Sequence, residues 1–302
     1  MESVIHSNKM KLALGTVQFG LNYGVTNTIG KVDESEVIHI LALAKNLGIK
    51  TLDCASVYGS SEKILGSIDA SKHFDIVTKV PRLCEEFDPN YSVEHYLQQS
   101  LTQLRAQKIY ALMFHDADDL LSPHAKINYQ QIKDIKKRHL IKKFGVSVYN
   151  PYQLESILDD FDLDIIQIPL NCLDQRFLHK SVKQRLASQK IEVHARSLFL
   201  QGILLMPFEK LSEYFQPFRA ELLKFHNLYQ NLNCHPLTLA LSIIHENELV
   251  DKVVVGCCSA AQLAQIAEHY HLAETLLINQ GEQLMDLACD KESLINPSLW
   301  EV

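Results

Sequence analysis

Short runs of apolar, often β-branched residues recur along the chain, and each is followed by a segment with helical periodicity. The runs are nearly continuous rather than alternating, which is typical of parallel strands buried on both faces. They predict eight strands, at residues 12–14, 51–53, 76–78, 111–114, 144–147, 165–168, 191–195 and 253–255. Eight strand–helix units in a chain of this length predict an α/β fold of the closed (β/α)8 type, a TIM barrel.

A doubly wound open sheet is the alternative, but no Gly-x-Gly-x-x-Gly turn follows an early strand. Asp33 and Glu36 predict a capping box that begins a helix, and Gly48 ends it. The other helix starts are predicted from Ser92, Pro151 and Pro236. No low-complexity linker divides the chain, so residues 1–302 are predicted to form one domain.

Two segments exceed the strand–helix repeat. Residues 206–235 form a predicted insertion between the seventh strand and its helix. Residues 272–302 lie beyond the eighth unit and predict an extra helix followed by a polar tail that contains Trp300. Long segments of this kind often cover the catalytic mouth of a barrel, and the sequence leaves open whether the tail does so here.

The composition excludes several classes of protein. Of the 302 residues, 47% are hydrophobic and 22% are charged, as in a globular protein. The net charge of −7 argues against nucleic acid or an anionic membrane as the main partner. The chain start does not resemble a signal peptide, and the most apolar stretch, 198–208, is too short to span a bilayer. Seven cysteines, mostly inside apolar runs, favour free thiols and a cytoplasmic location.

Four ionisable side chains follow the ends of three predicted strands. Asp53 ends the second strand with Tyr58 in the loop after it, Lys79 ends the third, and His115 ends the fourth. Each alone could be an ordinary structural residue. In a barrel, however, they would meet at one rim, and a lysine buried there needs a carboxylate such as Asp53.

Together these four groups could make a phenol into a proton donor. A free tyrosine has a pKa near ~10, and a neighbouring ammonium is expected to lower the pKa of Tyr58. Asp53 would hold Lys79, and His115 could hydrogen-bond the oxygen that is being protonated. The pattern predicts neither a nucleophile–base pair nor a metal site, so a cofactor must supply the difficult chemical step.

The block GIKTLDCASVYGSSEKILG, followed by DIVTK, ALMFHD and GVSVYN, resembles the aldo-keto reductase superfamily. The resemblance runs from about residue 11 to residue 270, with the motifs in the family's order. It implies a (β/α)8 barrel with Asp53, Tyr58, Lys79 and His115 as the catalytic tetrad. It also implies reduction of an aldehyde or ketone by hydride transfer from a nicotinamide, without a metal.

The same resemblance implies a set of cofactor contacts. Ser147 and Gln167 match the ligands of the nicotinamide carboxamide, although Val148 replaces the usual Asn after the serine. Asn171 or Asn150 could compensate, or each could be an ordinary loop residue. The remaining cofactor candidates are Gly15, Thr16, Gln201 and Gly202, the last two in the loop that borders the pyrophosphate.

Arg196 stands where many family members stack a tyrosine on the nicotinamide. Its planar guanidinium could stack in the same way, and its charge could disfavour the oxidised ring or could instead reach a phosphate. At the eighth strand, Gly256, Cys257 and Gln262 match the positions that hold the 2′-phosphate of the adenosine, and none of them is a cation. A helix N-terminus can still bind phosphate there. The missing cation weakens the family's preference for the phosphorylated cofactor, but NADP stays the cofactor that the resemblance implies, with NAD as the alternative.

The substrate is a small carbonyl compound by this resemblance. Val17 and Asp116 replace tryptophans of some members, which predicts a wider and more polar pocket. The string GTVQFGLNYGV resembles a bacterial subgroup associated with sugar and surface-polysaccharide biosynthesis, which points to a sugar-like substrate. Two other functions stay open: a nucleotide-binding regulatory subunit of the same fold, and a metal-dependent barrel hydrolase. The latter is disfavoured because the first strand lacks His-x-His.

Overall fold

The computed structural model describes residues 10–83, 92–276 and 281–301. These residues form eight parallel strands whose order around a closed barrel follows the sequence, so the predicted (β/α)8 fold is confirmed. The strands are β1 (Leu12–Gly15), β2 (Thr51–Asp53), β3 (Asp75–Val80), β4 (Ile109–Phe114), β5 (Ile141–Ser147), β6 (Ile165–Pro169), β7 (Glu192–Arg196) and β8 (Lys252–Gly256).

Helices follow the strands and surround the barrel. They are α1 (Val17–Gly20), α2 (Glu34–Asn46), α3 (Ser61–Ser67), α4 (Val93–Gln103), α5 (Ala125–Lys137), α6 (Pro151–Asp160), α7 (Lys180–Ser188), α8 (Arg219–Asn231), α9 (Pro236–His245), α10 (Ala260–Leu276), α11 (Gly281–Met285) and α12 (Glu292–Ile295). Short 3-10 turns lie between several of them.

Pairing of β1 with β8 closes the barrel, in a register that runs from Leu12 opposite Val253 to Gly15 opposite Gly256. Apolar strand residues pack on both faces of the sheet. A small cluster fills the barrel interior, and a larger one joins the strands to the helices. Because all strands are parallel, their carboxyl ends form a single rim, on which the polar strand-end residues meet.

The helix starts explain several sequence signals. Ser92 Oγ accepts a hydrogen bond from His95 N at 3.2 Å, as expected of an N-cap. Asn150 Oδ1 accepts a hydrogen bond from Gln153 N at 2.9 Å. Asn150 is thus the N-cap of α6, which begins at Pro151 as predicted. Asn150 does not line the cavity described below.

The predicted capping box of α2 is wrong. Asp33 precedes the helix, but its side chain caps no backbone group. Glu36 turns away from its own helix, and its Oε1 accepts a hydrogen bond from Ala260 N at 2.7 Å. The carboxylate stabilises the N-terminus of α10 instead, where four backbone N–H groups lack helical acceptors.

The two long segments pack mainly on each other. Trp300 packs edge-on against Phe215 of the insertion, with ring centroids 5.0 Å apart. The Tyr214 hydroxyl donates to Ser293 O at 2.8 Å. The tail thus packs on the insertion, because their aromatic side chains bury each other. None of residues 281–301 lines the cavity at the barrel mouth, and of residues 206–235 only His235 does.

No helix in the described ranges is both long and apolar enough to cross a bilayer. The six cysteines there are free thiols, and Cys84 lies outside them. The cytoplasmic location and the extent of a single domain over residues 1–302 stay predictions.

Candidate active site

A cavity of about 510 Å³ opens at the carboxyl ends of the strands. It extends from Tyr58 and His115 to the first turns of α10. The residues predicted for the tetrad and the cofactor contacts line it, apart from Lys79 and the alternatives Asn150 and Asn171: Gly15, Thr16, Asp53, Tyr58, His115, Ser147, Gln167, Arg196, Gln201, Gly202, Gly256, Cys257 and Gln262. Lys79 is fully buried behind this wall. The structure therefore brings the predicted residues together around one space.

Asp53 and Lys79 form a buried ion pair at the base of the cavity. Lys79 Nζ donates to Asp53 Oδ2 at 2.7 Å and to Cys54 O at 3.0 Å. Gln167 Nε2 donates to the other carboxylate oxygen of Asp53 at 2.7 Å. Each carboxylate oxygen thus has a donor, which a buried ion pair requires in order to offset its loss of hydration.

Hydroxyl groups behind the pair fix the end of β2. Thr16 Oγ1 donates to Asp53 O at 3.0 Å, and Ser61 Oγ donates to Thr16 Oγ1 at 2.8 Å. All three residues are buried. The sequence analysis missed Ser61, although its place at the start of α3, beside Tyr58, was a signal that could have identified it.

Tyr58 and His115 stand above the ion pair. Their rings meet edge to face with centroids 5.9 Å apart. Lys79 Nζ lies 5.4 Å from the centroid of the Tyr58 ring. The phenol and the imidazole therefore present two polar groups to the same part of the cavity, with the ammonium beneath one of them.

The expectation that Lys79 lowers the pKa of Tyr58 is wrong for this structure. Burial raises the pKa of Tyr58 well above its usual range, and the charge of Asp53 adds to the rise. Burial is the largest cause, and the charge of Asp53 opposes that of Lys79, so the ammonium does not outweigh the cost of a buried phenolate. Tyr58 consequently holds its proton at neutral pH.

Burial lowers the pKa of His115 to about 4, and the charge of Lys79 contributes to the shift. His115 is therefore a neutral imidazole at pH 7, with one nitrogen able to donate and the other able to accept. A neutral donor beside Tyr58 can hydrogen-bond an oxygen without competing with Tyr58 to protonate it.

Arg196 extends from the end of β7 across the rim toward β5. Its guanidinium donates to Ser147 Oγ at 3.2 Å, to Val148 O at 3.1 Å and to Ser197 Oγ at 3.3 Å. Its carbon Cζ lies 4.3 Å from the centroid of the Tyr149 ring. All three acceptors are uncharged, so the side chain is held in place without a partner that neutralises it.

Two loops meet across the cavity, and the sequence analysis did not foresee their contact. Val25 N donates to Gln201 Oε1 at 3.2 Å, and Thr26 Oγ1 donates to Gln201 O at 3.1 Å. Gly202 has φ +93°, and a Cβ there would lie 1.9 Å from Thr26 Oγ1. Only glycine fits this close approach, which explains its place beside Gln201.

The far end of the cavity lies at the N-terminus of α10. Cys258 N donates to Gln262 Oε1 at 2.7 Å, and Gln262 N donates to Ser259 Oγ at 3.2 Å. Glu36 accepts a hydrogen bond from Ala260 N and lies beside His39, and both contacts hold the pKa of its carboxyl below the usual range. The backbone amides that could bind a phosphate therefore already donate to acceptors of the protein, one of which is the Glu36 carboxylate.

His235 also lines this end and was not singled out in the sequence. Its ring stacks on His269 with centroids 4.4 Å apart and an interplanar angle of 16°. A flat aromatic surface of this kind suits contact with a planar base. Pro236, which marks the start of α9, was the one sequence signal next to it.

Two further sequence expectations concern residues that do not line the cavity. Asn171 Oδ1 accepts from Leu173 N and Asp174 N, both at 2.9 Å, so its side chain shapes a loop. Asp116 caps the 3-10 turn after β4 and lies 3.6 Å from Arg82. Asp116 therefore does not make the pocket more polar, because its side chain belongs to that turn, and the predicted widening stays a prediction.

The comparisons with known proteins identify the family and the fold of the chain. The sequence profile of the Aldo/keto reductase family matches residues 11–278. The chain belongs to this family. A search of curated proteins found no relative.

Solved structures show the same fold. A Pseudomonas aeruginosa protein assigned to the aldo-keto reductases shares 22% identity with the chain at a TM-score of 0.62, over 87% of this chain and 90% of that one. The aldo-keto reductase AKR11C1 from Bacillus halodurans, in its holo form, shares 17% identity at a TM-score of 0.71, over 92% of both chains.

Aldo-keto reductases use nicotinamide cofactors, and the residues of this cavity fit such a group. Ser147 and Gln167 place a hydroxyl and an amide at one end, where a carboxamide finds both donor and acceptor. Gln18 lines the cavity beside Gly256, and its Oε1 is buried without a hydrogen-bond partner. An elongated space with one unsatisfied acceptor in its wall suits a dinucleotide.

Proposed function

We propose that this member of the aldo-keto reductases reduces an aldehyde or ketone to an alcohol, with Tyr58 as the general acid. The observation that carries the proposal is the constellation at one end of the cavity. There a protonated phenol and a neutral imidazole face the same space, above the buried pair of Asp53 and Lys79.

A reduced nicotinamide held by Ser147 and Gln167 would supply the hydride for the carbonyl carbon. Tyr58 donates its proton to the carbonyl oxygen, which becomes the hydroxyl of the alcohol. Its raised pKa keeps that proton available at neutral pH. His115 hydrogen-bonds the same oxygen and orients it toward Tyr58.

Lys79 acts on the other side of the phenol. As the proton leaves, negative charge grows on Tyr58, and the ammonium 5.4 Å from its ring favours that charge. Asp53 holds Lys79 in this position through the 2.7 Å ion pair. Gln167 and the Thr16 hydroxyl hold Asp53 in turn.

Ser147 and Gln167, at the end with Tyr58 and His115, would hold the nicotinamide carboxamide. Gln201, Gly202 and the first turn of α10 would hold the pyrophosphate and the adenosine. NADP as the preferred form stays a prediction from the sequence, and the acceptors around Cys258 and Ala260 count against it.

A hydroxylated, sugar-like carbonyl compound stays the proposed substrate. The phenol side chains of Tyr23 and Tyr149 line the cavity, and Tyr23 is close enough to Tyr58 to affect its pKa. Such groups can hydrogen-bond several hydroxyls of a substrate, which a purely apolar pocket cannot do.

Replacement of Tyr58 by phenylalanine tests the proposal. We expect kcat for reduction of a reactive aldehyde to fall at least ~100-fold, because the ring remains while the proton donor is lost. The Kd of the reduced cofactor, measured by its fluorescence, should change less than about twofold. A regulatory subunit would show no turnover in the unmutated protein, and full activity of Tyr58→Phe would exclude Tyr58 as the acid.

A further inference from the structure

Arg196 is the one permanently charged cation among the described residues that line the cavity. Lys79 is close by, but its charge is paired with Asp53. Of the described carboxylates, none lies within ion-pair distance of Arg196, whose hydrogen-bond acceptors are two hydroxyls and one carbonyl. The catalytic end thus carries one positive charge that the protein leaves uncompensated.

The charge is also fixed in position. Contacts to Ser147 and Val148 at the end of β5, with the Tyr149 ring against the guanidinium, tie Arg196 across the rim. The charge of Arg196 also affects the phenol and the imidazole, because it acts to lower the pKa of both Tyr58 and His115. A fixed charge inside a protein acts more strongly than a mobile one in water, where the dielectric constant is higher.

We propose that Arg196 makes this site bind the reduced, uncharged nicotinamide ring more tightly than the oxidised, cationic ring. The inference rests on the proposed function, because it requires the nicotinamide to face Tyr58 and His115. To do so, the ring must lie beside Ser147, the residue to which Arg196 donates. There the guanidinium repels a ring that carries a positive charge and leaves a neutral ring unaffected.

This selection decides which cofactor form occupies the site when both are present. Reduced cofactor binds and oxidised cofactor dissociates, so the protein is loaded for carbonyl reduction, while the equilibrium constant of the reaction is unchanged. A tyrosine or other neutral side chain at position 196 could stack on the ring but would not distinguish its two charge states.

Binding of the two cofactor forms tests the proposal without reliance on activity. The Kd of NADH and NAD⁺, and of NADPH and NADP⁺, is measured by calorimetry for the unmutated protein, Arg196→Gln and Arg196→Lys. Glutamine removes the charge and keeps a planar amide, whereas lysine keeps the charge and loses the forked hydrogen bonds. Thermal unfolding of each variant checks that it is folded.

In the unmutated protein we expect the oxidised form of either pair to bind at least about tenfold more weakly than the reduced form, as repulsion at a few ångströms predicts. Arg196→Gln should reduce this ratio by about tenfold, and Arg196→Lys should retain most of it. An unchanged ratio in Arg196→Gln would overturn the proposal. Equal changes in both variants would also overturn it, because the hydrogen bonds rather than the charge would then be responsible.

A second arm addresses the other use of a cation, which is to hold an anionic substrate. The kcat/KM values of benzaldehyde and 4-carboxybenzaldehyde are compared in the same variants. If Arg196→Gln lost only the carboxylated aldehyde and kept the cofactor ratio, the charge would serve the substrate and the proposal would be wrong. If no nicotinamide nucleotide bound to the unmutated protein, the proposed function itself would fail.

Discussion

At one end of the cavity, the fixed charges of Asp53 and Lys79 are buried and paired, and each has a further hydrogen-bond partner. At the other end, the backbone amides of Cys258 and Ala260 bind acceptors from the protein itself, Gln262 and Glu36. The first region is organised before any ligand arrives, and its geometry resists change. The second must exchange protein acceptors for ligand atoms, so its binding preference depends on weak and replaceable contacts.

Loss of one partner of the buried pair should produce the largest effect. Lys79→Met leaves the Asp53 carboxylate buried with only Gln167 as a donor, which should cost about 3–5 kcal/mol of unfolding free energy. Urea denaturation measures this loss. It should be accompanied by a fall in kcat, because the phenol loses the cation beneath its ring.

The double variant Asp53→Asn, Lys79→Met is the matched control. It removes both charges, so its unfolding free energy should be higher than that of Lys79→Met alone, while its activity stays low. If Lys79→Met lost less than about 1 kcal/mol, the pair would not be the rigid base that the comparison assumes.

At the far end, a single added cation should change cofactor preference without affecting catalysis. Gln262→Arg places a guanidinium where Gln262 Oε1 now accepts from Cys258 N. The binding of adenosine 2′,5′-bisphosphate should tighten about tenfold through charge-assisted hydrogen bonds, whereas adenosine 5′-monophosphate should bind as before.

Gln262→Leu controls for loss of the existing hydrogen bond without an added charge. Calorimetry with the two adenosine nucleotides distinguishes the outcomes. Equal tightening of both ligands by Gln262→Arg would mean that the 2′-phosphate lies elsewhere, and the assignment of this end to the adenosine would have to be abandoned.

The sequence predicted which side chains meet at the Tyr58 end of the cavity because the signals for their positions are local. Asp53, Lys79 and His115 lie at or near strand ends or directly after them. The strands of a parallel barrel bring their carboxyl ends to one rim, irrespective of the length and sequence of the loops. The pKa of Tyr58 was not predictable in the same way. Its direction depends on burial and on whether Asp53 compensates Lys79, which only the packed structure decides.

The far end was predicted less well because its contacts join distant parts of the chain. Glu36 and Ala260 are 224 residues apart, so a spacing rule reads Glu36 as the cap of its own helix. The contact between Thr26 and Gln201 also crosses the barrel mouth. Apolar periodicity reveals which helix face is buried, but it does not tell which helix N-terminus a particular carboxylate will reach.

The smallest predicted effect concerns Glu36 itself. Glu36→Gln keeps an oxygen that can accept from Ala260 N and removes the negative charge beside the expected phosphate position. Binding of adenosine 2′,5′-bisphosphate should tighten by about two- to fivefold at low salt, because about a third of this side chain is exposed and water weakens its field. At high salt the gain should shrink, whereas adenosine 5′-monophosphate should bind equally well under both conditions.

A gain that did not depend on salt, or that appeared for both nucleotides, would contradict an electrostatic role for Glu36. The far end would then discriminate by shape, and its difference from the catalytic end would no longer be one of charge.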